Sequence, residues 1–404
     1  MANKKFEEAI VFYFSSNSHH LLFSDILFEL QKLGNRKLTI YSALSPIDNE
    51  GNNLLSHDRF NDIELKYPGP VRKFYEIKSR LFRIKFSCTE LFDYFFSEFK
   101  KIQPGCIVLG NDTGHIERSI IRAAKCLKIR TVLMQDGYIY NAIKSPFLLK
   151  CLKLWVQFFG QLVGRVPYGM MGCDTILCYS EFYREKFFTK KQKNTTEILV
   201  FGYPNPGIKA KGPRKLEKRR PVVYFATNFL TSVLAGFQKK RMHEHQIKEI
   251  IELRASLDKR FQKNQLIVKL HPADDPNHYI ALRSIKNIKI STTLDLLQII
   301  ENSLFCVANF STVAVQCFRS KKLCLVGSVN LNRGAFVNFI QEIPGVKFHN
   351  WKEFETYMEM IDHQKINSLI TKQTRLSSKV INNHNKAHKK IASFLEEYSK
   401  ANSS

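Results

Sequence analysis

Acidic residues are scarce in this chain: 36 Asp and Glu stand against 62 Lys and Arg, a net charge of +26. Such a surplus attracts phosphates, anionic lipid or nucleic acid, and it says nothing of the fold. The usual nucleic-acid signatures are missing. There is no zinc-finger spacing, no aromatic strand of the RNP type and no basic heptad region, so nucleic acid is not expected as a partner. No Cys-x-x-Cys pair occurs among the nine cysteines. An odd number of thiols, most of them inside apolar runs, reads as reduced core cysteine of a cytoplasmic protein, not as disulfides or zinc ligands. No Asp-x-Asp pair suggests a metal site. No secretory signal is expected at the N-terminus, and no short-period repeat is visible.

What is present is ordinary globular material: 44% hydrophobic and 24% charged residues over 404 positions, enough for two or three domains. Apolar runs of strand length alternate with segments of helical spacing. Strands are predicted at 9–14, 37–41, 106–110, 130–134, 173–178 and 196–201. Helices are predicted at 21–33, closed by Gly34, then at 71–102 and 116–127, and 15–20 reads as a polar loop. The alternation pauses over 202–220, which is rich in Pro, Gly and basic residues. A second series follows, with strands at 221–227, 265–270, 288–290, 304–308 and 323–327. Its helices are predicted at 243–257, 277–284, 294–301, 312–319 and 378–398. The pattern predicts an α/β fold of two Rossmann-like, doubly wound domains facing a central cleft. The boundaries expected are 1–205, a basic linker at 206–220, and 221–404, with the last helix packing back on the first domain.

Polar residues at the C-terminal ends of strands are the candidate site, because ligands of open α/β sheets bind there. Lys269 and His271 share one face of a strand end before Pro272, where a histidine can donate to a departing phosphate. Ser311 and Thr312 follow another strand at a helix start, where a plain N-cap and a phosphate site are compatible readings. Asp136 and Gly137 follow the strand at 130–134, either as an ordinary Asp-Gly turn or with Asp136 as a carboxylate that takes a proton from an acceptor hydroxyl. Asn111, Asp112 and Glu117 lie beyond the strand at 106–110, and Asn17, His19 and His20 beyond the first strand. All of these are acceptor-side candidates. Thr227 and Asn228 occupy the matching position in the second domain and are candidates for nucleotide contact.

The stretch 146–166 places Lys150, Lys153, Gln157, Gln161 and Arg165 on one narrow helical face with Leu, Phe and Trp155 elsewhere. Its lysines break a clean span, and it reads either as a buried domain helix or as one lying in an anionic membrane interface, with the basic linker assisting.

In the order of these motifs the chain resembles GT-B glycosyltransferases, in particular bacterial polysialyltransferases and related capsule and lipooligosaccharide sialyltransferases. The likeness rests on Asp136-Gly137, His271-Pro272 and Ser311-Thr312. The stretch 311–326 is also similar to a helix–strand unit of CDP-glycerol glycerophosphotransferases. Gln135 stands where those enzymes have a second acid, and some relatives have histidine in place of Asp136. The resemblance implies an inverting, metal-independent transferase with no cofactor beyond its nucleotide-sugar donor, of CMP or UDP type. Asp136 would be the general base, with Glu117 or a first-loop histidine as alternatives. His271 would stabilise or protonate the leaving phosphate, held by Lys269, Pro272, Ser311 and Thr312. The implied acceptor is a surface glycan or lipid-linked precursor of capsule, O-antigen or lipooligosaccharide, met peripherally at the inner face of the cytoplasmic membrane. Three other readings stay open: a CDP-glycerol-type glycerophosphotransferase or polymerase, a UDP-sugar 2-epimerase, whose first-domain loop Gly110-Asn-Asp-Thr113 resembles, and a non-catalytic basic membrane-associated protein.

Overall fold

The computed structural model describes residues 7–15, 17–34, 36–43, 63–136, 168–188, 193, 195–204, 220–226, 236–271, 274–292, 296–309, 313–327, 347–348, 351–361, 363–380 and 386–400. The chain divides into two compact units, 1–206 with 380–404, and 207–379. The stretch 146–166 and linker residues 206–219 lie outside the described residues.

Unit 1 is built on seven parallel strands: β1 (Glu7–Phe14), β2 (Arg36–Ser42), β3 (Ile63–Lys66), β4 (Cys106–Leu109), β5 (Arg130–Met134), β6 (Thr175–Cys178) and β7 (Glu197–Val200). Their order is β3-β2-β1-β4-β5-β6-β7. Residues 10–14 of β1 and all of β4 and β6 are buried, as near-continuous apolar runs require when helices cover both faces of a parallel sheet. The helices are α1 (Asn17–Leu33), α2 (Gly69–Glu76), α3 (Arg80–Cys88), α4 (Glu90–Ile102), α5 (His115–Cys126) and α6 (Glu181–Phe187). Gly34 ends α1 at φ 69°, its N–H bonded to the Leu30 carbonyl.

Three details differ from the sequence reading. α1 begins at Asn17, so His19 lies in its first turn and not in a loop. The single helical stretch expected over 71–102 is three helices, because residues 77–79 leave the helix and Thr89 takes φ −111°, ψ −84°. Strand β3 and helix α6 were not expected; both are short, and little periodicity can build up over four to seven residues.

Unit 2 repeats the plan with β8 (Val222–Phe225), β9 (Leu266–Lys269), β10 (Ile288–Ser291), β11 (Cys306–Asn309), β12 (Cys324–Gly327) and β13 (Lys347–Phe348), all parallel, in the order β10-β9-β8-β11-β12-β13. Its helices are α7 (Gly236–Arg260), α8 (Leu296–Asn302), α9 (Val313–Arg319), α10 (Trp351–Met360) and α11 (His363–Val380). The helix expected at 277–284 is a 3-10 turn, Pro276–Leu282, capped by the Asp275 carboxylate, which accepts from the Asn277 N–H at 2.9 Å. The helix expected at 378–398 is divided: α11 ends at Val380, and α12 (Ala387–Lys400) is separate.

Helix α12 belongs to unit 1. Ile391, Ala392 and Leu395 enter the same apolar core as Ile10, Phe12, Phe23 and Val108. Arg36 and Glu396, both buried, approach to 3.7 Å. Arg130 donates to the Tyr398 carbonyl at 3.1 Å and stacks its guanidinium 4.7 Å from the ring centroid.

In each sheet the strand order reverses beside the first strand, between β1 and β4 and between β8 and β11, and the crevice at the carboxyl ends of those strands is the expected ligand position. Eight of the nine cysteines are described and all are free thiols, six of them buried. Among the described residues no helix is long and apolar enough to cross a membrane.

Candidate functional site

At the switch point of unit 1, the ends of β1, β4 and β5 bring three loops together. The loop after β1 supplies Ser15 and the first turn of α1. His19 there is 1% exposed, and its Nδ1 accepts the Ser15 backbone N–H at 3.2 Å. That bond fixes the neutral tautomer with its proton on Nε2. Nε2 lies 3.2 Å from Oδ2 of Asp136, one residue beyond the loop-entering Gln135 at the end of β5. Both ring nitrogens are thereby engaged, and it is Asp136, 33% exposed, that reaches solvent. Hydrogen bonds to an ionised acceptor contribute about 1.5–3 kcal/mol, so the imidazole holds the carboxylate firmly in one orientation.

The loop after β4 makes room for this pair. A β-carbon on Gly110 would overlap the His19 ring, and one on Gly114 would strike the Glu117 carboxyl. Glu117 is buried in the first turn of α5. Burial raises its pKa; its own backbone N–H, the Ser15 hydroxyl and His19 oppose that, and the charge of Asp136 adds to it. The Glu117 and Asp136 carboxyl groups thus lie close enough to interact.

The other loop candidates have different work. Asn111 closes a turn through the Thr113 N–H at 3.0 Å. Asp112 is fully buried and accepts the N–H groups of Gly169 and Met171 at 3.0 and 3.1 Å, so it ties the 168–172 segment to the loop after β4. Burial pushes its pKa up to about 6. Arg118, also buried, donates to the Thr113 carbonyl at 2.7 Å and carries the positive charge opposite Asp112 and Glu117. Gln135 is buried and accepts the Tyr179 N–H at 3.0 Å. It stitches β5 to β6, which leaves Asp136 as the exposed acid of this motif. Gly137 and the side chains of Asn17 and His20 lie outside the described residues.

In unit 2, β9 delivers Lys269 and His271. Lys269 donates to the carbonyls of Thr292 at 2.7 Å and Leu270 at 3.3 Å, which draws its ammonium toward the end of β10. His271 reaches the surface. Desolvation of its ring lowers its pKa, Asp274 opposes this, and Lys269 adds to it, so the imidazole is biased toward its neutral, hydrogen-bonding form. Beneath it lies a buried network that the sequence reading missed. Asp274 accepts the Tyr279 hydroxyl at 3.1 Å, its own N–H reaches the His271 carbonyl at 2.9 Å, and the His271 backbone also bonds its carboxylate. Gln246 of α7 donates to the Tyr279 oxygen at 2.7 Å, and His243 packs on Tyr279 with centroids 5.6 Å apart. The available signal was an acid three residues past the histidine in a turn. Pro272, Ser311, Thr312, Thr227 and Asn228 lie outside the described residues.

No protein-family model matches the chain, and no curated protein matches it in sequence. Solved structures do match it in shape. A Listeria monocytogenes protein classed as a UDP-N-acetylglucosamine 2-epimerase superposes with TM-score 0.64 at 11% identity, covering 97% of each chain. TcCGT1, solved in complex with UDP, gives TM-score 0.61 at 12% identity over 97% of this chain and 100% of its own. The fold is GT-B. A glycosyltransferase from Rickettsia africae is similar at TM-score 0.55 and 16% identity, over 98% of this chain and 99% of its own. At these identities the likeness establishes the GT-B architecture alone. The expected α/β class of two Rossmann-like domains is therefore the observed one.

Proposed function

We propose that the protein is a nucleotide-sugar-dependent glycosyltransferase. The observation that carries this reading is the His19–Asp136 pair at the switch point of a GT-B fold: a solvent-reaching carboxylate oriented by a buried imidazole of fixed tautomer. An acceptor hydroxyl gives its proton to Asp136 while its oxygen bonds the anomeric carbon. The bond from that carbon to the phosphate oxygen breaks, and the nucleotide leaves with the electron pair. One displacement of this kind inverts the anomeric centre. His271 donates a hydrogen bond to the departing phosphate, and Lys269 adds positive charge beside it, with Ser311 and Thr312 as further phosphate ligands. The scheme needs no metal.

The motif order supports the finer reading of a polysialyltransferase-like or capsule-type enzyme, using a CMP- or UDP-sugar and a surface glycan or lipid-linked acceptor at the inner membrane face. The UDP in the TcCGT1 structure is consistent with a nucleotide donor in this fold. A nucleotide-release assay tests the proposal. CMP-sugar or UDP-sugar is consumed only with acceptor present, and Asp136→Asn and His271→Ala each remove the activity. Turnover of CDP-glycerol in its place would assign a glycerophosphotransferase. One observation favours a second reading, a UDP-sugar 2-epimerase: the buried Glu117 carboxyl and the solvent-reaching Asp136 carboxylate lie close enough to interact. Conversion of a UDP-sugar to its C2 epimer with no acceptor would establish it.

A further inference from the structure

Helices α2 and α3 form a corner whose inner side is already complete. Val71, Phe74, Ile84 and Ser87 are buried there, and Arg83 locks the turn by donating to the carbonyls of Ile77 and Tyr75. The outer side is the opposite of what a solvated surface needs. Leu81 is 77% exposed, Phe82 66% and Tyr75 51%. Large apolar groups grouped on a surface mark an interaction site more often than singly scattered ones do. Around them the same corner carries Arg72, Lys73, Lys78, Arg83 and Lys85 against one acid, Glu76.

We infer that the α2–α3 corner docks on the surface of an anionic bilayer, with Leu81 and Phe82 entering the headgroup boundary and the basic residues meeting lipid phosphates. Apolar side chains interleaved with Lys and Arg fit that interface, and each basic residue adds attraction to a negative leaflet. A second copy of this chain fits poorly, since like charges would be brought face to face. The position gives the docking a use. Phe74 packs against His115, the first residue of α5, with centroids 6.0 Å apart. Desolvation and then the charge of Glu117 raise the Tyr75 phenol to about 12. The corner therefore borders the loop of Gly114 and Glu117, next to the His19–Asp136 pair, and sets that pair beside the membrane from which a lipid-linked acceptor would come. Only this last link rests on the proposed function; the docking itself does not.

The test is flotation of the full chain with vesicles of phosphatidylglycerol in phosphatidylcholine, against phosphatidylcholine alone. The wild type is expected to float with the anionic vesicles only and to be released as salt is raised toward about 1 M, where screening acts over about 3 Å. Leu81→Glu with Phe82→Glu should weaken binding at least about ten-fold, and Lys78→Glu with Lys85→Glu should do likewise. Both pairs are exposed, so thermal unfolding and nucleotide release with a water-soluble acceptor should stay at wild-type values. A loss of membrane binding with intact transfer separates this inference from the catalytic one. Undiminished flotation of both variants overturns it, as does equal binding to neutral vesicles. So does a wild-type dimer that the Leu81/Phe82 pair converts to monomer, which would make the corner a contact between copies.

Discussion

The Nε2–H of His19 points at Oδ2 of Asp136 across 3.2 Å, while the other ring nitrogen receives the Ser15 N–H. The relationship decides which of the two groups meets substrate. A histidine with both nitrogens engaged and 1% exposure has no lone pair to offer, so the proton acceptor is the carboxylate and the imidazole is its mount.

Asp136→Asn is expected to lower kcat by roughly 10²–10⁴, the usual contribution of a positioned general base, with little change in melting temperature. His19→Ala should lower kcat less, since the carboxylate loses the hydrogen bond that orients it. Steady-state kinetics of both variants checks this. An unchanged kcat in His19→Ala would remove the positioning role.

Gly110→Ala places a methyl group in the His19 ring. Overpacking of this kind costs about 1–3 kcal/mol. The expected result is a lower denaturation midpoint together with lost activity, because the ring cannot yield without releasing Asp136. A variant of normal stability and full turnover would contradict the geometry.

Asp112 gives the protein a pH signature. Its folded-state pKa of about 6 lies above the unfolded one, so the native state binds more protons between them. The associated stability is complete below the unfolded pKa, about 3.9, and is lost as pH rises through the folded value. Glu117, also raised, acts in the same direction. From pH about 4 to pH about 7, wild type should lose about 2–3 kcal/mol relative to Asp112→Asn. Urea titrations of the two proteins at each pH give the difference directly, and parallel pH curves would refute the assignment.

Asp274 is expected to position His271. Asp274→Ala should lower kcat about ten-fold on its own and add almost nothing in a His271→Ala background, the non-additivity of residues acting through one group. Tyr279→Phe, which removes the hydroxyl's bond to Asp274 at 3.1 Å and the one it accepts from Gln246 at 2.7 Å, should give a smaller loss of the same kind. Additive effects would mean that Asp274 supports the fold alone.

The sheets were legible because parallel strands buried on both faces are written as bare apolar runs, and runs such as 106–109 and 324–327 fall where they were expected. Asp136 and His271 follow the ends of β5 and β9 as expected, but strand ends alone left Glu117 and a first-loop histidine open as alternative bases. What the sequence hid was partnership. Nothing in the spacing of His19 and Asp136, 117 residues apart, shows that a switch point brings them together. Asn111 and Asp112 read as ligand candidates because short polar loops and ligand loops share a composition; the bonds of Asp112 to the backbone become visible only with residues 169 and 171 in place. The Tyr279–Asp274–Gln246 network escaped notice for a related reason: Gln246 lies inside a helix and Tyr279 inside a turn, where each reads as an ordinary member of its element.

The most direct test of the account is acceptor-dependent release of nucleotide from CMP-sugar and UDP-sugar donors by wild type, Asp136→Asn and His271→Ala, with folding checked by thermal unfolding. The account expects release by the wild type only when an acceptor glycan is present, and loss of release in both folded variants. Donor-specific release that persists undiminished in Asp136→Asn would contradict it.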